Sequence, residues 1–503
     1  MADRRITMKN HNGIDWDNIY PKTSIDQVIN LQSILDTKGS SPFVSITSNG
    51  VLTNSTSDQS TAIQAILTAN KFVYFPAGTY ICYDLRPQQG SVYMFHPDCI
   101  LKFPTTASAA GGGNRQMFLV GFAADTTEGN EFKGFRTIGH PTIDASNLTS
   151  GAELEGFHIL GAKDVHIDGC TGLNFYNGYV VWAGAPYSDT AQATQALNHN
   201  VTIRNIRSIN SGFGAVAITA GRNIVVENIY AEGGIYPDGS GGFYPAGAVV
   251  VEPWTGNSRE CENITIRNVE FKKGTKGFAL IIDAHDKVVR NIRAESVYGH
   301  IKLSVESANN GLLENLTIED FVIDGATTTV ADGFAITTNN APIKNLQVRN
   351  GLIKNCSQYG VYCGLGDWQN VTVELCGKSG FMSHYTAIQT PHVHTQFYNC
   401  NSIDNNTTNT ANESGFRMYG MAKVTLMNCR ATDTRGTKLQ KYGMFAVSTI
   451  ATLFNTDFTG NATAETLASS ATFNIPRLDS SVESRTSDPA SPTVGQIWLR
   501  TDL

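Results

Sequence analysis

Three carboxyl groups recur near the ends of similar short apolar runs. Glu252 closes Gly247-Ala-Val-Val-Val-Glu and is followed by Pro253 and Trp254. Asp283 lies in Gly277-Phe-Ala-Leu-Ile-Ile-Asp-Ala-His285, and Glu306 ends Gly299-His-Ile-Lys-Leu-Ser-Val-Glu306. Side chains alternate between the two faces of a strand. With Val249 and Val251, then Phe278, Leu280 and Ile282, then Ile301, Leu303 and Val305 inward, one outward set remains. It holds Glu252 and Trp254, Asp283 and His285, and His300, Lys302, Ser304 and Glu306. The run from Gly247 is apolar throughout, so its parity stays open. Glycoside hydrolysis needs two carboxyl groups, one acid and one base or nucleophile. Crowded like charges raise one carboxyl pKa, as a general acid requires. Glu252, Asp283 and Glu306 are therefore the candidate catalytic residues, with Asp286 in reserve. A polysaccharide lyase would instead use a base such as His285, Lys302 or Arg290 with a neutralising cation. No dense cationic cluster is present, so lyase chemistry ranks below hydrolysis.

Two repeats must position these groups. One reads Asn200-Val-Thr-Ile-Arg-Asn-Ile, then Asn223-Ile-Val-Val-Glu-Asn-Ile, Asn263-Ile-Thr-Ile-Arg-Asn-Val, Asn315-Leu-Thr-Ile-Glu-Asp-Phe and Asn345-Leu-Gln-Val-Arg-Asn-Gly. The other begins with glycine at Gly214, Gly247, Gly277, Gly299, Gly333, Gly360, Gly380 and Gly415. A step of roughly 24–30 residues is a solenoid period. Gly and Asn tolerate the left-handed backbone of sharp corners, and no helix-length segment separates the strands. A parallel β-helix of about 10–11 coils between Ile138 and Phe458 satisfies these constraints, with Asn ladders satisfying backbone groups in the turns. A β-propeller, with blades of ~40–45 residues, fits less well. Neighbouring coils would hold carboxylates about 5 Å apart, near the retaining range of ~5–5.5 Å. Two coils give about 10 Å, just past the inverting range.

Composition agrees. The chain has 503 residues, 41% hydrophobic and only 16% charged, with 47 Gly and a net charge of −7. This excludes disorder and coiled coils. No basic patch suits nucleic acid, and no apolar run suits a membrane span. The start Met1-Ala-Asp-Arg-Arg lacks the apolar core of a signal peptide, which argues against general secretion. The nine Cys show no CxxC spacing, so free, mostly buried thiols are expected rather than disulfides or zinc. His384, His392 and His394 do not form a convincing ligand pattern. No metal or other cofactor is expected.

Asp58 through Leu67 predicts a capping helix, with Asp58 as N-cap and Ile63, Ile66 and Leu67 on one face. A second short amphipathic helix is predicted over Ile25–Leu35. The helix followed by Val73-Tyr-Phe-Pro-Ala-Gly-Thr-Tyr80, with Gly139-His-Pro-Thr-Ile-Asp-Ala-Ser146, resembles the start of pectate-lyase-like β-helix domains. Such domains occur in phage tailspikes and polysaccharide-degrading enzymes. His140-Pro141 departs from the usual Gly-Thr run there. Trp16-Asp-Asn-Ile-Tyr-Pro-Lys-Thr23 resembles N-terminal segments of tail and appendage proteins in phages of Gram-positive bacteria. Pro489-Ala-Ser-Pro-Thr-Val-Gly-Gln-Ile-Trp-Leu-Arg-Thr501 resembles segments of phage tail proteins.

The resemblance implies an all-β, right-handed parallel β-helix over residues 46–475. Residues 1–45 would form a virion-attachment segment and residues 476–503 a C-terminal tail. It also implies a homotrimeric receptor-binding appendage of the virion tail, in contact with other tail proteins and acting outside the host. The expected activity is binding and hydrolysis of a host cell-surface polysaccharide or teichoic acid. A non-catalytic receptor-binding protein and a polysaccharide lyase are the alternatives, and a secreted pectinase-like enzyme ranks below them. Longer excursions flank the carboxylates, one at residues 183–199 and one at residues 232–246. Tyr236, Tyr244 and Trp254 offer flat faces to sugar rings and, with His285, are the expected substrate-binding residues. In the plainer reading the carboxylates are merely solvated, His285 is a turn residue and the aromatic side chains pack between subunits.

Overall fold

The Gly- and Asn-punctuated runs form strands, and the pairing is parallel at each step. A computed structural model describes residues 42–105, 115–121, 131–147, 154–175, 178–184, 197–233, 246–253, 260–272, 277–285, 287–305, 311–327, 331–338, 343–384, 394–420 and 423–474, with 483–485 and 498–500. The strands build a right-handed parallel β-helix from two long sheets, one of 21 strands and one of 13. In the 13-stranded sheet all but the first strand (Arg115–Gly121) and the last (Ala464–Ser469) fall between Ile138 and Phe458, which gives eleven coils over the interval read from the sequence. The solenoid therefore extends beyond that interval at both ends, and by several coils at the first, where the 21-stranded sheet begins at Val44–Ser45.

Interdigitated inward faces make one core running from Ile46 to Phe458. Aromatic rings stack along it, as with Phe118 on Phe157 (5.0 Å) and Phe381 on Phe416 (4.9 Å). The nine cysteines are free and buried. The first end is closed by the helix Ser60–Ala69, which buries Ile63, Ile66 and Leu67. Its cap residue is Gln59, one place after the expected Asp58. Asp58 still accepts the Ser60 N–H at 2.8 Å, so it satisfies a first-turn donor. His140-Pro141 leaves the local turn intact. Gly139 sits at φ +100, where a Cβ would lie 2.2 Å from the Phe95 carbonyl oxygen, and His140 Nε2 lies 2.9 Å from Thr171 Oγ1.

The asparagines occupy left-handed corners, including Asn200, Asn223, Asn263, Asn291, Asn315 and Asn345 at φ +54 to +58. Their side chains bond one another across coils, while the buried Asn198 and Asn405 serve backbone groups, as expected of asparagines in the turns. Asn291 Nδ2 donates to Asn263 Oδ1 at 2.9 Å and Asn315 Nδ2 donates to Asn291 Oδ1 at 3.0 Å. The column starts on Asp164, which accepts from Asn200 at 3.0 Å. A carboxylate suits that place because the first member only needs to accept. A second column runs Asp168, Asn205, Asn228 and Asn268. It meets Ser296 and Asp320, then resumes through Asn350 and Asn370.

The helix Ile25–Leu35 and the Trp16–Thr23 segment lie outside the described residues. Of the C-terminal tail, Glu483–Arg485 pairs in parallel with Trp498–Arg500. No helix among the described residues is long and apolar enough to cross a membrane.

Candidate functional site

Three consecutive strands of the 13-stranded sheet, Ala246–Val251, Gly277–Asp283 and Ile301–Val305, place the site. Val251 pairs with Ile282, and Asp283 pairs with Ser304. Glu252, Asp283 and Ser304 thus form one column on the outer face. Val249, Val251, Leu280, Ile282, Ile301 and Leu303 fill the core, as expected. Phe278 does not. The register passes from Gly247–Phe278 to Val249–Leu280, and Ala279 takes the inward place. Phe278 instead joins Val250 and Ile281 in a separate apolar cluster outside the core.

After Asp283 the chain turns through His285, whose backbone is left-handed at φ +43. Asp283 Oδ1 accepts the His285 N–H at 2.9 Å. The turn sends the imidazole back to the preceding coil, where Nε2 lies 2.9 Å from Glu252 Oε1. Asp283 Oδ2 accepts the Ser304 hydroxyl at 2.5 Å. Burial pushes the Glu252 carboxyl above its ordinary value. Asp283 adds to the rise, while His285 and Lys302 oppose it.

The column differs from the expected solvated row. Asp283 is 1% exposed and Ser304 1%, whereas the Glu252 side chain keeps 15%. Of the two described carboxyls in the column, Glu252 is the reachable one; Asp283 is enclosed and bonded on both oxygens. One donor atom each from Glu252, Asp283 and His285 lies within 4.8 Å of the others. Two carboxylate oxygens and an imidazole nitrogen could hold a divalent cation, a capacity the sequence did not suggest. The separation also brings the carboxyls near retaining geometry.

Trp254, Tyr236, Tyr244, Glu306 and Asp286 lie outside the described residues, as do Phe243 and His392. Ser304 fills the third place of the column. Lys302 stands beside Ile281 in register. His300, expected outward, is fully buried, with Nδ1 2.8 Å from the Asp332 carbonyl oxygen. Arg290 belongs to the other sheet, where it pairs with Glu260 at 3.0 Å and with Glu262. His394 lies 2.5 Å from Thr425 Oγ1.

Sequence reasoning missed an aromatic group on the same outer face. His158, Trp182, Ala217, Val250 and Ile281 share one register row. His158 stacks on Trp182 at 5.0 Å, and Trp182 Nε1 donates to Thr219 Oγ1 at 3.0 Å. Thr219 directly precedes Glu252 in the column. Burial pulls His158 down to about 4, so its ring is neutral near pH 7. The parity rule applied to Gly178-Tyr-Val-Val-Trp-Ala would have shown Trp182 facing outward.

No family model matches the sequence, and no curated protein matches it significantly. Solved structures do. A double mutant of the tailspike protein of E. coli bacteriophage HK620, in complex with a pentasaccharide, superposes with a TM-score of 0.56 at 12% identity. The alignment covers 88% of this chain and 81% of that one. The tailspike without named substitutions, also in complex with a pentasaccharide, gives 0.55 at 11% identity, covering 88% and 81%. The likeness shows a shared tailspike-like β-helix.

Proposed function

We propose that the protein is a phage tail appendage that binds a host cell-surface polysaccharide or teichoic acid on the lateral face of its β-helix and hydrolyses it at Glu252. The observation that carries this reading is a partly buried Glu252 held by His285 beside the enclosed Asp283. A carboxyl with a raised pKa keeps its proton for delivery to a leaving glycosidic oxygen. His285 fixes its orientation. Asp283, anchored by Ser304 and the His285 N–H, supplies negative charge where an oxocarbenium ion would develop. The pentasaccharide in the HK620 tailspike complexes supports glycan as the ligand class on this fold. Homotrimer formation, contact with other tail proteins and a place in the virion tail belong to the same proposal.

Incubation with polysaccharide extracted from the host surface should release new reducing ends. Glu252→Gln should slow that release by at least ~100-fold while leaving binding intact. A second reading, binding without cleavage, is favoured by one observation. Asp283 is buried and already bonded, so among the described residues of the column a single carboxyl is reachable. It is the outcome if the wild-type chain binds the polysaccharide saturably and releases no ends.

A further inference from the structure

The corners of the later coils carry thiol pairs that the candidate site does not use. Cys356 and Cys376 are equivalent residues of successive coils. Lys354 pairs with Glu374, which sets the two thiols in register two residues on. Cys356 Sγ lies 3.6 Å from the Lys354 carbonyl oxygen, and Cys376 Sγ lies 3.5 Å from that of Glu374. The Cys356 carbonyl accepts the Gly377 N–H at 2.8 Å, so the two corners are joined beside the thiols. Gly333 and Gly360 make room for them. A Cβ there would lie 2.9 Å from Cys356 Sγ and 3.3 Å from Cys376 Sγ. Cys400 and Cys429 repeat the arrangement in the next two coils. Tyr398 pairs with Met427 and Asn401 with Arg430, so both flanks set Cys400 opposite Cys429. Their Sγ atoms lie 3.5 Å from the Tyr398 and Met427 carbonyl oxygens. Within each pair the thiols hydrogen-bond to each other. The other cysteines face different residues. Cys99 stands opposite Gly78, Cys170 opposite Ile206, and Cys261 between Gly221 and Val289. Cys363 follows Tyr362 and so falls opposite Ser383, and Cys82 Sγ lies 3.6 Å from Met117 Sδ.

We propose that Cys356–Cys376 and Cys400–Cys429 are two modification sites, each closing into a disulfide under oxidising conditions and stapling one coil to the next. Paired residues of neighbouring coils stand about 4.8 Å apart, inside the ~4.4–6.8 Å that the Cα atoms of a disulfide span. Parallel side chains leave the Cβ atoms about as far apart, slightly past the ~3.5–4.5 Å usual for the bond. Closure therefore draws the corners together by a few tenths of an ångström and turns each thiol away from its carbonyl. All four cysteines are at most 2% exposed. Their neighbours in sequence Ser357, Leu375 and Arg430 are exposed, so each pair lies one residue beneath the surface. Local opening of a corner admits an oxidant as small as hydrogen peroxide. One thiol loses its proton, and the thiolate attacks a peroxide oxygen. The O–O bond breaks, leaving a sulfenic acid and a hydroxide that takes up that proton. The partner thiol attacks the sulfenyl sulfur, the S–O bond breaks, and a disulfide and water form. In all, two thiols lose two electrons and two protons, and one peroxide becomes two waters. In the second pair Cys429 is the attacking group, because the hydrogen bond from Cys400 holds its thiol below the ordinary value against the effect of burial. Such bonds stay open in a reducing cytoplasm and form outside it. The setting, though not the chemistry, rests on the reading that the protein acts outside the host.

The test counts thiols in denaturant before and after the purified full-length protein is treated with hydrogen peroxide, and maps cross-linked peptides by mass spectrometry. The expected count falls by four from the nine free thiols. The cross-linked peptides join Cys356 to Cys376 and Cys400 to Cys429, and dithiothreitol restores the original count. Cys376→Ser should form only the Cys400–Cys429 link, whereas Cys261→Ser should form both. The melting midpoint should rise by about 5 °C on oxidation, since each bond restrains a loop of the unfolded chain. Nine thiols persisting, links between any other cysteines, or a loss that dithiothreitol fails to reverse overturns the proposal. A midpoint that does not rise overturns the stapling role. No readout here depends on cleavage of a glycan, so this proposal stands or fails apart from the earlier one.

Discussion

Glu252 is poised between burial, which holds its proton, and His285, which draws it off. Activity that depends on protonated Glu252 declines as pH rises through its pKa. His285 lowers that pKa, so His285→Ala should move the alkaline limb of the pH–rate profile to higher pH, with a lower maximum because the carboxyl loses its orienting partner. Ser304→Ala removes a donor from a buried carboxylate and should cost about 1.5–3 kcal/mol in urea unfolding. Alternation in the sequence put Asp283 and His285 on one side of the sheet and left Glu252, at the end of an all-apolar run, open. It did not show that Asp283 would be enclosed, because parity says which face a residue takes and not what lies against that face.

At the scale of elements, the corners are the most legible feature. An Asn at each end of a short alternating run signals a left-handed residue, and the structure places Asn200 and Asn205 at φ +54 and +59. The direction of the amide bonds was not legible, since it depends on coil-to-coil register. Asn291 makes one bond to each neighbouring coil. Asn291→Ala loses both and sets a Cβ-bearing apolar residue in the left-handed region, which together should cost about 2–3 kcal/mol. Asn291→Gly keeps the backbone at ease and should cost about 1 kcal/mol. Equal losses in chemical denaturation would assign the effect to the amide bonds rather than to the backbone. Eleven coils fall between Ile138 and Phe458, where 10–11 were expected, and the thirteen-stranded sheet adds Arg115–Gly121 and Ala464–Ser469 outside that interval, where the repeat signature is absent.

For the whole molecule, low charge has a structural account. Corners take Gly and Asn, and many of the 16% charged residues gather in alternating columns on one sheet. Arg204–Asp168 at 2.6 Å, Arg267–Glu227 at 3.0 Å and Arg293–Glu319 at 2.6 Å are examples. Such exposed pairs contribute about 0–1 kcal/mol each and weaken with salt. The pH dependence of stability has two sides. Burial makes Glu270 bind its proton more tightly when folded, so its contribution is present below its unfolded value of 4.5 and is lost as pH rises through about 7. Asp433, Asp144 and Asp324 are held below their usual range by hydrogen bonds and nearby cations, so theirs is lost as pH falls below 3.8. Buried His158, pulled down to about 4, works the opposite way to Glu270, its contribution growing between about pH 4 and 6.5. Glu270→Gln should therefore lose less stability than the wild type between pH 5 and pH 8, by roughly 1 kcal/mol in urea unfolding once solvent screening is allowed for. The second asparagine column carries a last consequence. It is interrupted at Ser296 and begins again on Asp320, which accepts from Asn350, and these two residues flank in sequence the strand bearing Ser304. Mechanically, one of two lateral tie lines is missing there while the other, through Asn291, is unbroken, so under axial load Asn291→Ala should bring first rupture to the coils that carry the candidate site.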